Sequence, residues 1–317
     1  MTKLLVRRIL SGLVILFAVS ILVFLTTKAL PGDAAQAILG REATPARLAA
    51  VRSQLHLDQS PVMQYLAWLK GILTGQLGSS FATGESIASL ITPRMMNSLV
   101  LMGISAAIAT PVAIVLGTWS ALRRDRAADH LTSMVTLVLA SMPEFVVGIL
   151  LVLLLSTGVF HLLPAVFVAK RPGPIWVDPS QLVLPTLTLV LAVGPYIVRM
   201  MRATMVEVLE SQYVLQARLK GLPERVVLWR HAIPNAIGPV AQVIALQLAW
   251  LAGGVVIVEF LFRFPGIGFA LVDAVNNRDI LVVQDISLLI AAVYIVVNLA
   301  ADVVALAANP RVRTAAR

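Results

Sequence analysis

Uncharged or nearly uncharged stretches too long for a soluble core recur along this chain. The first, ILSGLVILFAVSILVFL, covers residues 9–25, and others cover 95–122, 131–163, 181–198, 236–258 and 286–308. A helix needs roughly 20 apolar residues to cross the hydrocarbon of a bilayer, and a barrel strand needs about ten in strict alternation. In lipid only these two forms satisfy their own backbone. The runs do not alternate, so they predict an all-α integral membrane protein with six transmembrane helices. A mean hydropathy of +0.90 and a charged fraction of 13% agree. Lys3, Arg7 and Arg8 before the first run also resemble the start of a signal peptide. No small-residue cleavage site follows and the run is long for such a segment, so an uncleaved first span is expected.

The chain has no cysteine, which excludes disulfides, thiolate metal sites and cysteine nucleophiles. Its formal charge of +9 does not imply nucleic acid. In a membrane chain basic residues report orientation and contact with anionic headgroups, so lipid is the expected partner of that charge. An even number of spans puts both termini on one side. That side collects Lys3, Arg7, Arg8, Arg123, Arg124, Arg126, Arg199, Arg202, Arg218, Lys220, Arg225, Arg230, Arg311, Arg313 and Arg317, fifteen of the 25 basic residues. Its acids are Asp125, Asp129, Glu207, Glu210 and Glu224; the other side carries Asp33, Glu42, Asp58, Glu85, Asp178, Asp273, Asp279 and Asp285. Positive loops face the cytoplasm, so both termini are expected there. Residues 1–30 then form the N-terminal segment and first span, 31–94 an extracytoplasmic insertion with amphipathic pieces such as VMQYLAWLKGIL, and 95–317 the remaining core.

Between the fourth and fifth runs lies YVLQARLKGLPERVVLWRHAIPNA, residues 213–236. A helix over about 207–220 should stop at Gly221 and a second begin after Pro223 and run to about 232, since Gly ends helices and Pro opens them. Val208, Leu215 and Leu219 are expected to share a face of the first helix, with Arg218 and Lys220 beside the turn. On the second, Val227 and Leu228 flank Trp229, opposite Arg225. Such a hairpin either pushes its turn into a partner's groove, where a glycine lets a foreign backbone approach, or lies on anionic lipid. Pro111, Pro143, Pro185 and Pro195 sit in or beside spans and are expected to kink them.

The motif Q-A-R-L-K-G-L, followed by W-R-H-A-I-P-N-A, resembles the EAA loop of ABC importer permeases in the form found in the dipeptide, oligopeptide and nickel branch. Gln216, Ala217 and Gly221 take the positions of its Glu, first Ala and Gly; Gln216 departs from the acid and Arg218 from the second Ala. The similarity runs through the chain. Leu55-His56-Leu57-Asp58-Gln59-Ser60-Pro61, Gln64-Tyr65 with Trp68, and Gly75-Gln76-Leu77-Gly78-Ser79-Ser80-Phe81 are similar to the insertion of the first permease of these systems, with His56 and Gln76 departing. Glu259, Phe262, Pro265, Gly266 and Gly268 fit E-x-x-F-x-x-P-G-x-G, and Asn277-Arg278-Asp279 fits N-R-D. Asn298 with Asp302 fits N-x-x-x-D, and Asn309-Pro310-Arg311-Val312-Arg313 fits D-P-R-x-R apart from its first residue.

The resemblance implies a six-span MetI-like permease core and a non-catalytic transport subunit in the bacterial inner membrane. Implied partners are a second, different permease, two cytoplasmic ATPases and an extracytoplasmic substrate-binding protein. The loop at about 207–235 is then the ATPase-coupling device, with Gln216, Ala217, Arg218, Lys220, Gly221, Leu222 and Arg225 at the contact. ATP and Mg would be bound by the partners. The chain's own residues agree: no Gly is followed by Lys, so no Walker A loop is present, and neither H-E-x-x-H nor G-x-S-x-G occurs. Glu144, Glu259 and Asp302 fall at apparent membrane depth, where acids often mark ion paths. An ion-coupled carrier working through Glu144 and Asp302 is therefore the alternative to their acting as structural or gate residues beside Phe262, Pro265, Gly266, Gly268 and Asn298.

Overall fold

The computed structural model describes residues 2–29, 44–54, 58–168 and 175–308. The expectations resting on Asp33, Glu42, Leu55, His56, Leu57, Asn309 to Arg313 and Arg317 lie outside these residues. Among the described residues the long elements are all helices: α1 Thr2–Ala29, α2 Pro45–Gln54, α3 Pro61–Thr74, α4 Ile87–Leu122, α5 Ala127–Ser141, α6 Glu144–Val152, α7 Ser180–Leu209, α8 Gln212–Leu219, α9 Glu224–Leu261, α10 Ile267–Asn276 and α11 Ile280–Ala308. Five of these, α1, α4, α7, α9 and α11, are each long and apolar enough to cross a membrane, and α5 with α6 makes a sixth, bent span. The chain is a multi-pass membrane protein.

The run at 131–163 is bent at Pro143, one of the prolines expected to kink a span. It breaks between α5 and α6 through 108°. Pro143 is the cause: its ring pushes the preceding residue out of helical conformation, and Met142 sits at φ −95°, ψ 136°. The Tyr196 hydroxyl donates to the Ala140 carbonyl at 3.0 Å, satisfying one of the acceptors left at the end of α5. After α6 a single π-helical turn, Leu153–Thr157, ends the element.

Two compact units emerge, one made of residues 1–5, 99–264 and 294–317, the other of 6–98 and 265–293. In the first, α7 is the buried hub, with α5, α6 and α9 packed along it. Leu184, Leu189, Val193, Ile197, Met201 and Met205 of α7 are fully enclosed. Without water as a driving force, membrane helices associate by close packing of small residues. Gly117 of α4 shows it: a β-carbon there would lie 2.6 Å from the Val198 carbonyl oxygen. The segment beyond α6 is strapped down by the Phe167 N–H donating to the Phe262 carbonyl at 2.7 Å. Gln181 completes the strap with its side chain, accepting from the Val168 N–H at 2.5 Å and donating to the Val168 carbonyl at 2.9 Å.

In the second unit α3 packs Tyr65, Trp68 and Ile72 into a cluster with Leu16, Val19 and Phe24 of α1 and Leu281 and Leu288 of α11. Its ends follow from sequence: the Ser60 hydroxyl accepts from the Met63 N–H, Pro61 opens the first turn, and Gly75 closes the helix at φ +74°. Two stretches that look unrelated in sequence meet here. The Asp279 carboxylate, one residue before α11, accepts from the Ser80 hydroxyl and from the Phe81 and Ala82 N–H groups, the latter two at 3.3 Å. The Asn97 amide donates to the Pro265 carbonyl and the Ile267 N–H to the Ser98 hydroxyl, both at 2.8 Å. These bonds fix the turn carrying Pro265, Gly266 and Gly268. Asp279→Ala should leave the buried Ser80 hydroxyl without its acceptor, a loss of about 1–3 kcal/mol, and release the half-buried Phe81 and exposed Ala82 amides to water. Hydrogen exchange at residues 81 and 82 should then rise at least tenfold, while α3 amides stay protected.

Candidate functional site

The turn at Gly221 stands out by geometry. α8 ends at Leu219, Gly221 adopts φ +74°, and α9 begins at Glu224 behind Pro223. A β-carbon added at Gly221 would meet no heavy atom within 4 Å. The glycine is therefore required by backbone conformation, and the chain itself leaves the space in front of the turn empty.

Beneath the turn a small core holds it in shape. Val214 and Ala217 of α8 and Val227 of α9 are buried together, with Val208 partly buried against them. This corrects the expected face: Leu215 and Leu219 do not join Val208 but are exposed, Leu219 at 78%. The reason is a break the sequence did not announce. α7 runs to Leu209, the chain turns at Glu210 and Ser211, and α8 starts a new helical phase at Gln212. The second helix is likewise no separate piece. It passes through a π-helical turn, Val227–Ala232, straight into the fifth span.

Of the residues expected at the contact, Gln216, Arg218, Lys220, Gly221, Leu222 and Arg225 are exposed around the turn, while Ala217 faces the small core. Arg218 closes the turn by a guanidinium bond to Glu224 at 2.7 Å. Both partners are exposed, so that pair contributes little to stability, about 0–1 kcal/mol. Leu219, Leu222 and Trp229 are exposed nearby, which gives the tip a mixed apolar and basic surface.

The supports behind this hairpin were not legible as such. Asp129, 1% exposed, accepts a two-pronged bond from Arg202 of α7 at 2.5 and 2.7 Å, the Ser120 hydroxyl at 2.5 Å, and the Asp125 N–H at 3.1 Å. Arg124 pairs with Glu210 at the corner between α7 and α8. In sequence these groups read only as charges to be tallied by side. The usable signal was Arg202 itself, an arginine in the continuation of an apolar helix, where a charge demands a named partner.

The other candidates are scattered. Glu144 is half-exposed in the first turn of α6, where a carboxylate complements the positive end of a helix. Glu259 and Phe262 are fully buried at the end of α9, and the Glu259 carbonyl accepts from the Phe264 N–H at 2.8 Å. Asn298 and Asp302 are half-buried one turn apart on α11, and the Asn298 amide donates back to the Tyr294 carbonyl at 2.9 Å.

Comparison with known proteins places these features. Residues 113–314 match the model of the binding-protein-dependent transport system inner membrane component, and residues 1–102 match the corresponding N-terminal membrane component. The chain is 35% identical to a protein of Brucella abortus bearing the name of a peptide transport system permease, over 99% of each. It is 31% identical to a Sinorhizobium fredii protein named for peptide ABC transport, over 97% of this chain and 98% of the relative. With the glutathione transport system permease of Escherichia coli K12 it shares 36% identity over 97% of this chain and 98% of the relative. The chain therefore belongs to the binding-protein-dependent transport system inner membrane component family.

Proposed function

We propose that this chain is one of two membrane subunits of an ATP-driven ABC importer for peptides, and that the turn at Gly221 receives force from a cytoplasmic ATPase. The turn's geometry carries the reading: an exposed, left-handed glycine with open space before it, rigid beneath through Val214, Ala217 and Val227. The names of the Brucella, Sinorhizobium and Escherichia relatives support peptide-like cargo. Lys220, Arg225 and the Arg218–Glu224 pair orient the docked surface, and Leu219 and Leu222 supply its apolar contact.

On this reading the chain pairs with a second, homologous permease, and an extracytoplasmic binding protein delivers the cargo to the side opposite the turn. ATP and Mg are held by the ATPase subunits. The termini are cytoplasmic, the membrane is the bacterial inner membrane, and residues 31–94 lie towards the outside. Glu259, Phe262, Pro265, Gly266, Gly268, Asn298 and Asp302 serve as structural or gate residues. The buried placement of Glu259 and Phe262 and the bond from Asn97 to Pro265 support that role.

Purification of the tagged chain from its native membrane in gentle detergent tests the assembly. A P-loop ATPase and a second permease should come with it, and recovery of the chain alone would overturn the proposal. The ion-coupled alternative is separated by uptake of a labelled peptide with ATP held constant. Collapse on adding an uncoupler would favour a carrier using Glu144 and Asp302; unchanged uptake is expected.

A further inference from the structure

The amphipathic helix of the insertion, α3, has two sides of opposite demands. Tyr65, Trp68 and Ile72 face the packed cluster. Val62, Leu66 and Leu73 lie on the other side and are 52–79% exposed, at the i, i+4, i+11 spacing of one helical face. Lys70 is exposed beside them. Were α3 part of a domain standing in water, this face would have no reason to be apolar.

The depth of its attachment decides what covers it. The Tyr65 hydroxyl bonds to the Ser20 hydroxyl at 2.8 Å. Ser20 is nine residues before the end of α1, about 13 Å along the helix axis at 1.5 Å per residue. The Trp68 ring N–H donates to Asp285 of α11 at 2.7 Å, and Asp285 is five residues past the start of that helix, about 8 Å along it. Both anchors belong to helices apolar and long enough to cross the membrane. A third bond, from Gln284 to Thr27 at 2.7 Å, ties those two helices together beside α3. The inner face of α3 is thus pinned about 8–13 Å inside the ends of two helices that are apolar and long enough to cross the membrane.

We propose that α3 is a membrane-interfacial helix, with Val62, Leu66 and Leu73 embedded among the acyl chains of one leaflet and Lys70 reaching up to a phospholipid headgroup. Its fourteen residues are too few to span but suit a helix lying in the interface. A long basic side chain beside the apolar face places its charge at phosphate level while its stem covers apolar surface. The insertion is then not a free-standing cap; its helix α3 is part of the membrane-seated body.

Because the chain has no cysteine, single-site labels test this directly. Leu66→Cys and Leu73→Cys, each carrying a polarity-sensitive fluorophore, are compared in the full transporter with Leu10→Cys on α1 and Glu85→Cys on the exposed loop. The vesicles are phosphatidylcholine and phosphatidylglycerol with a nitroxide at a shallow acyl position. Labels at 66 and 73 should be quenched by the nitroxide lipid to within about twofold of the label at 10, and at least threefold more than the label at 85, with little quenching by iodide. Quenching by iodide in place of the nitroxide would put the face in water and overturn the proposal. Protection from both agents would mean that a protein, either the delivery partner or the second permease, covers it, and would equally overturn it. The two positions are independent and exposed, so failure of one labelled chain to accumulate leaves the other to decide.

Discussion

Gly221→Trp should abolish uptake while leaving the chain inserted and folded. Within the chain the new β-carbon meets nothing, since no heavy atom lies within 4 Å of it. The left-handed conformation, φ +74°, costs about 1–2 kcal/mol for a residue other than glycine. A bulky ring at the centre of a docked surface costs more: single residues at such centres carry on the order of 2–4 kcal/mol, which is ~30-fold or more in affinity. The ATPase should therefore be missing from the purified variant and labelled-peptide uptake should fall to background. Gly221→Ala separates the two effects, since it keeps the conformational cost but adds only a methyl group, and should retain partial uptake. Full activity of the Trp variant would show that nothing docks at the turn.

Asp129→Ala is expected to damage the fold itself. Removing one member of a buried pair leaves an uncompensated charge, a loss of about 3–5 kcal/mol. The Arg202 side chain is 31% exposed, so water recovers part of that and the lower end applies. The Ser120 hydroxyl and the Asp125 N–H lose their acceptor as well. Roughly 3 kcal/mol corresponds to a fall in melting temperature of ~5–10 °C, measurable by following the detergent-solubilised chain through a heating series on size exclusion. Arg202→Lys keeps the charge but loses the planar fork, and should fall between wild type and Asp129→Ala. If Asp129→Ala melts like wild type, the pair carries no weight in holding α5 to α7.

Apolar run length located the spans because a bilayer imposes one stringent demand, a continuous apolar stretch with its backbone satisfied. It did not by itself give the bend between α5 and α6; Pro143 marked the place, and the structure adds how sharp the bend is, 108°. Nor did it extend α7 to Leu209: the helix outruns its apolar part, and Arg199 and Arg202 read as a loop until Asp129 is seen against them. The Gly-Leu-Pro turn was legible because its chemistry is local. The face beneath it was not, since the break at Glu210 and Ser211 resets the helical phase, and a resemblance in sequence carries no phase information. Ser80 and Asp279 are 199 residues apart, and no single-sequence periodicity links them.

The continuity of α9 has a mechanical consequence. From Glu224 to Leu261 it counts 38 residues, about 57 Å at helical rise, with the Gly221 turn at one end and the strapped Phe262 carbonyl just past the other. A rod of that length acts as a lever, and a tilt of about 10° imposed at the turn would sweep the far end through roughly 10 Å. The π-helical turn at Val227–Ala232 sits close to where the load enters. How stiff those six residues are sets how much of an applied torque travels up the rod and how much is absorbed beside the membrane surface.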